Sequence, residues 1–160
     1  MTRVFLHGLE SSNQGTKGVF FREKYPDMII PNFRGALEQR MQKLSRVLSG
    51  KSDIILVGSS FGGLMASIFA MENEERVKGL ILLAPAINLI EFSAYTKRRI
   101  STPTTIYHGR EDSVIPLDDV EKVAEEVFSH LTFHVVSDDH FLHKTFPALD
   151  WDKLLSQSED

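Results

Sequence analysis

An α/β domain with a mainly parallel sheet is what this sequence predicts, on three observations. Strand signals alternate with helix signals from end to end, the pattern of helices laid over parallel strands. Ile54 to Val57 form an unbroken apolar run between Asp53 and Gly58, as in a strand buried on both faces. Phe61 to Met71 then continues as an apolar stretch of helical length whose only polar side chain is Ser67, a helix with no face left for water. At 160 residues the chain is expected to form a single domain over residues 1–160, with 156–160 as a frayed tail.

Each element has its own reason. Val4-Phe5-Leu6 is the first strand and ends at His7-Gly8. A polar loop, Glu10 to Gly15, leads to a short helix over about residues 16–24. Met28-Ile29-Ile30 is the second predicted strand, stopped by Pro31. Leu37, Met41, Leu44 and Leu48 fall at i, i+4, i+7 and i+11, the stripe of an amphipathic helix that stops near Gly50. After the 54–71 unit, Leu80 to Leu83 supplies a fourth strand, halted by Pro85. Residues 85–102 are irregular, and Thr104 to Tyr107 makes a fifth strand. Pro116 suits the first turn of a helix with Val120, Val123, Ala124 and Val127 on one face; Asp118 and Asp119 lie at its positive end. Leu131, Phe133 and Val135 alternate with Thr132, His134 and Val136, as in an edge strand with one wetter face. A last helix, over about residues 144–155, is expected to pack through Phe146, Leu149 and Leu154.

Composition narrows the function classes. A net charge of −4 provides no basic field, which argues against a nucleic-acid partner. There is no cysteine, hence no disulfide framework, no thiolate nucleophile and no cysteine metal site. The longest nearly apolar run, Gly79 to Ile90, is too short to span a bilayer. MTRVFLHG leads straight into a strand without the build of a secretion signal, so a cytoplasmic location is the expectation.

The stretch that carries chemistry is Gly58-Ser59-Ser60-Phe61-Gly62, set between the buried strand and the buried helix. That is the setting of a G-x-S-x-G nucleophile elbow. A serine hydroxyl is a weak nucleophile and must be held where a base can reach it. A turn from strand to helix within one or two residues presses backbones together, and Gly58 and Gly62 carry no Cβ to clash. The helix that follows aims its free N–H groups and positive dipole end at the same spot. Ser60 is therefore the predicted nucleophile.

Ligands of parallel α/β sheets sit beyond the carboxyl ends of the strands, so the partners are sought in the loops there. His108-Gly109-Arg110-Glu111-Asp112 follows the fifth strand, and Ser137-Asp138-Asp139-His140-Phe141 follows the sixth. The order Ser60, Asp112, His140 is the one expected when a triad is built on an elbow. An imidazole changes charge near neutral pH, so His140 is suited to take the serine proton and return it to a leaving group. Asp112 would fix its tautomer. The backbone N–H of Phe61, with that of Leu9 after the first strand, would hold an oxyanion.

Four blocks then carry a family likeness: His7-Gly8-Leu9 with Ser11-Ser12; Gly58 to Gly63; His108-Gly109-Arg110-Glu111-Asp112 with Val114 to Pro116; and Asp139-His140. The chain resembles a small, lidless α/β-hydrolase over about residues 3–155. The resemblance implies a three-layer α/β/α sandwich with six strands in the order 2-1-3-4-5-6 and no cap domain. It also implies a Ser60–His140–Asp112 triad, oxyanion donors at Leu9 and Phe61, no cofactor and no metal. The expected reaction is hydrolysis of small carboxylic esters or thioesters through an acyl-enzyme, the expected partner being that substrate, with no nucleic acid and no membrane. A serine peptidase, an acyltransferase, or a non-catalytic binding protein on the same fold are the alternatives.

Several residues have rival roles. Glu111 competes with Asp112 for the acid, and His143 and His134 compete with His140 for the base. His140 and His143 with Asp138 and Asp139 also read as a metal cluster. His7 and His108, each before a glycine at a strand end, are expected to brace loops through hydrogen bonds. Lys97, Arg98 and Arg99 read as a solvated loop or as a holder of an anionic group. Ile87, Leu89, Ile90 and Phe92 either cover the sheet or wall an acyl pocket.

Overall fold

A computed structural model describes residues 1–156. The expected frayed tail therefore lies, apart from Ser156, outside the described residues. Five parallel strands form one sheet in the order β1 (Thr2–Leu6), β2 (Ile54–Ser59), β3 (Val77–Leu83), β4 (Thr104–Gly109) and β5 (Leu131–Val136). The helices are α1 (Thr16–Lys24), α2 (Leu37–Val47), α3 (Phe61–Glu72), α4 (Leu117–Val127), α5 (Thr145–Ala148) and α6 (Trp151–Leu154).

Side chains alternate along the strands, so each strand feeds two cores. Val4, Leu6, Ile54, Leu56, Leu80, Leu82 and Ile106 pack with Leu44 of α2, all the buried apolar residues of α3, and Val120, Ala124 and Val127 of α4. Phe5, Ile55, Val57, Ile81, Leu83 and Tyr107 pack on the opposite face with Phe21 of α1, Phe146 of α5 and Trp151 of α6. This is the three-layer sandwich. On the second face aromatic edges do much of the filling: Phe21 meets Trp151 with centroids 4.9 Å apart at 84° and Phe146 at 5.5 Å and 90°, the edge-to-face arrangement that ring quadrupoles favour.

α3 is buried at every residue from Phe61 to Met71. Its large side chains each contribute about 2 kcal/mol of burial before chain entropy is set against them. The lone polar group costs nothing unpaired, because Ser67 Oγ donates to the Gly63 carbonyl at 2.8 Å. Among the described residues no helix is long and apolar enough to cross a membrane.

Two sequence expectations need correction. The sheet has five strands, not six. Ile29 lies beside β1, where the second strand was expected, but it pairs only by an isolated bridge to Val4; its N–H donates to Arg3 and its carbonyl accepts from Phe5. Pro31, two residues on, has no N–H, and the ladder stops. The single helix expected over residues 144–155 is two. Leu149 is extended (φ −73°, ψ 146°), and the Asp150 carboxylate then caps a new start by accepting from the Lys153 N–H. Residues 85–102 hold a 3₁₀ segment, Ile90–Tyr95, which seats Phe92 in the core.

Candidate active site

Every loop singled out from sequence leaves a strand at the same edge of the sheet: Gly8-Leu9 after β1, Ser60 after β2, Asp112 after β4 and His140 after β5. Ser60 sits at φ 55°, ψ −116°, a region that side chains other than glycine's avoid. Its carbonyl is tied down by the N–H groups of Gly63 and Ala86, each at 2.9 Å, and its N–H donates to Leu83 at 2.9 Å. The turn is tight because Gly62 passes against β1: a Cβ there would meet the Leu6 carbonyl oxygen at 2.0 Å. Gly109 does the same between the loops after β4 and β5, where a Cβ would meet the Asp138 carbonyl at 2.3 Å.

The structure brings three of the sequence-derived residues into line. His140 Nε2 lies 3.2 Å from Ser60 Oγ, and His140 Nδ1 lies 2.8 Å from Asp112 Oδ2. Asp112 Oδ1 accepts from the N–H groups of Val114 and Ile115, both at 2.8 Å. The Asp112 side chain is fully buried and that of His140 is 10% exposed. The turn after β1 passes beside the serine: a Cβ added at Gly8 would stand 3.5 Å from Ser60 Cβ. Among the described residues, neither the Leu9 nor the Phe61 N–H has an acceptor.

The rivals are occupied elsewhere. Glu111 accepts from Ser137 Oγ. His134 stacks on Tyr107. His143 pairs with Asp139 at 2.6 Å, while Asp138 accepts from the N–H groups of Asp139, Lys144 and Thr145; among the described residues no set of three such side chains gathers as for a metal. Burial alone would raise the Asp138 carboxyl, but those N–H donors outweigh it and hold it below its ordinary value. Arg99 caps the end of α4 by donating to the Glu125 and Glu126 carbonyls, and Ile87 and Phe92 join the core. A polar groove of about 560 Å³ lies along α2, lined by Asn32, Arg34, Gln39, Gln42, Lys43 and Arg46, none of which belongs to this constellation.

Two supports, Arg40 and Lys17, were not foreseen, and a third, His7, was expected as a brace without its partner. Arg40 is 4% exposed, donates to the Gly35 carbonyl and lies 5.4 Å over the Phe61 ring. Lys17 Nζ holds the Phe141 carbonyl at 2.8 Å, and burial lowers its ammonium below the ordinary lysine value. His7 accepts from the Phe33 N–H at 2.8 Å through Nε2 and faces the Gly8 carbonyl at 2.7 Å through Nδ1, so the ring carries its proton on Nδ1 and clamps the Gly8-Leu9 turn. Only the brace itself was legible; its partner, Phe33, lies 26 residues away.

Burial, with the positive Arg40 and Lys43 nearby, lowers His7 below its ordinary 6.5. Unfolded, the ring takes a proton as pH falls through that value; folded, it resists. Stability is then complete above about pH 7 and declines as pH drops through 6.5. Denaturant titrations from pH 8 to pH 5 should show that decline shallower in His7→Gln than in the parent; equal slopes would exclude His7 as its source.

A family model described as alpha/beta hydrolase fold matches residues 11–96, just over half of the chain. The chain belongs to the alpha/beta hydrolase family. The matched stretch of this α/β-hydrolase holds Ser60 and ends before Asp112 and His140. Its fold is similar to an alpha-beta serine hydrolase homologue from Coxiella burnetii, at TM-score 0.73 and 19% identity over 99% of this chain and 85% of that one. A YdeN-like hydrolase from Pectobacterium atrosepticum matches at TM-score 0.72 and 23% identity, covering 87% of this chain and 78% of that one. Alpha/beta hydrolase domain-containing protein 10 from mouse matches at TM-score 0.70 and 17% identity, covering 88% and 82%. At these identities the likeness establishes the fold. No curated protein matches the chain.

Proposed function

We propose that this α/β-hydrolase is a serine esterase or thioesterase acting on small substrates through an acyl-enzyme. The observation that carries the reading is the Ser60 Oγ–His140 Nε2 distance of 3.2 Å with Asp112 on the far nitrogen at 2.8 Å. His140 takes the proton as Ser60 Oγ bonds to the carbonyl carbon. The carbonyl oxygen, now an anion, accepts from the Leu9 and Phe61 N–H groups; one such donor is worth about 3 kcal/mol in the transition state. Collapse expels the alcohol or thiol, which leaves with the proton from His140. Water, activated by the same ring, then frees the acid.

The rim supports an apolar acyl group. Leu9, Val114 and Phe141 are 49%, 61% and 56% exposed, and each lies on a loop that carries part of the machinery. Exposed apolar side chains on loops at the same end of the sheet offer surface for an apolar group to cover. Half-covered methylenes on such a rim should add about twofold each to kcat/KM.

A fluorophosphonate should transfer its phosphonyl group to Ser60 with loss of fluoride, one adduct per chain, and block hydrolysis of nitrophenyl esters. Absence of the adduct, or its location on another serine, would refute the proposal. A series from acetate to hexanoate esters run beside it should rise with chain length.

A further inference from the structure

We propose that His108 is a positioning residue for this reaction, the fourth member of the line Ser60–His140–Asp112. The inference rests on the esterase reading above and deepens it. His108 is the second-last residue of β4 and is fully buried. Its Nε2 lies 2.9 Å from the Ile115 carbonyl oxygen and 3.3 Å from Asp112 Oδ2. A carbonyl oxygen only accepts, so Nε2 carries the proton and donates it to Ile115, with the Asp112 carboxylate in electrostatic contact beside that N–H.

That placement completes the carboxylate. An ionised aspartate offers about four acceptor sites. The N–H groups of Val114 and Ile115 take two through Oδ1; His140 Nδ1 takes a third through Oδ2 at 2.8 Å, and His108 Nε2 stands 3.3 Å from that same oxygen. The two backbone donors fix one oxygen and leave the group free to swing about it. His108 limits that freedom, because its ring, locked inside β4, holds the Ile115 carbonyl at the end of the 112–115 turn and sets the positive edge of its N–H 3.3 Å from Oδ2. Its other nitrogen, Nδ1, is buried with no partner among the described residues. An unpaired buried polar atom is a standing cost; an apolar residue would pack there without it. The cost is offset only by what Nε2 does.

Methionine and glutamine are unbranched and alike in shape, but only glutamine puts an N–H where Nε2 was. In His108→Met, kcat for an activated ester should fall about tenfold with KM unchanged, since His108 touches nothing in the cleft. In His108→Gln most of the loss should be recovered. A parent-like kcat in His108→Met, or a glutamine variant as slow as the methionine one with both folded by circular dichroism, would overturn the proposal. Should His108→Met not fold, ¹⁵N spectra decide: the His108 Nε2–H resonance must move in Asp112→Asn, and a stationary resonance overturns it. Ser60→Ala in the same assay keeps the two readings apart. Parent-level hydrolysis by that variant would sink the esterase reading itself, whereas loss of hydrolysis there with an indifferent His108 would sink only this one.

Discussion

Replacing Ser60 by glycine is expected to make the protein more stable and, at the same time, catalytically silent. The backbone at Ser60, φ 55° and ψ −116°, is one that glycine adopts freely and a residue with a Cβ does not. Strain of this kind costs about 2 kcal/mol, and the added freedom of an unfolded glycine takes back about 1 kcal/mol. The net gain of about 1 kcal/mol should raise Tm by about 3 °C. Removing the hydroxyl should lower kcat about 10⁶-fold. Calorimetry and an ester assay on one preparation read both effects. A lower Tm would mean that the hydroxyl, not the chain, sets the conformation; surviving activity would mean that Ser60 is not the nucleophile.

Asp112→Asn is expected to lower kcat about 10⁴-fold in a protein that still folds, and the surroundings say why. Oδ1 accepts from two backbone N–H groups at 2.8 Å, so the amide of asparagine must keep its oxygen there. Its NH₂ then faces His140 Nδ1 and the His108 N–H. Donor meets donor at His108, and His140 can only accept, which moves its own proton to Nε2. A proton on Nε2 is donated to Ser60 Oγ, and the ring no longer takes one from it. Steady-state kinetics should therefore find kcat reduced with KM little changed. A loss under tenfold would mean that Asp112 does not set the tautomer.

Local signals were enough to find the residues that these predictions touch. G-x-S-x-G between a buried strand and a buried helix marked Ser60, and the rule that chemistry follows strand ends marked Asp112 and His140. Sequence put Asp112 ahead of Glu111, one residue earlier, without a physical reason for the choice. The turn supplies one: Asp112 faces the Val114 and Ile115 N–H groups, and Glu111 points to Ser137. Met28 to Ile30 reads as a strand by composition, yet a strand exists only where its neighbour's ladder reaches, and Pro31 ends it after one bridge. The helix over 144–155 reads as continuous because a period of apolar residues does not register Asp150 as a new cap.

What the amino-acid order alone determined is the alternation of strand and helix, the family likeness, and the three residues to test, because each depends on neighbours a few positions apart. Tertiary structure decided the convergence: His140 stands 80 residues from Ser60 and 28 from Asp112. It also decided the supports that no pattern announces, the His7–Phe33 clamp, Arg40 over Phe61 and His108 beneath Asp112. Contacts of this kind depend on direction as well as distance and close only when separate loops are already held at one edge of the sheet.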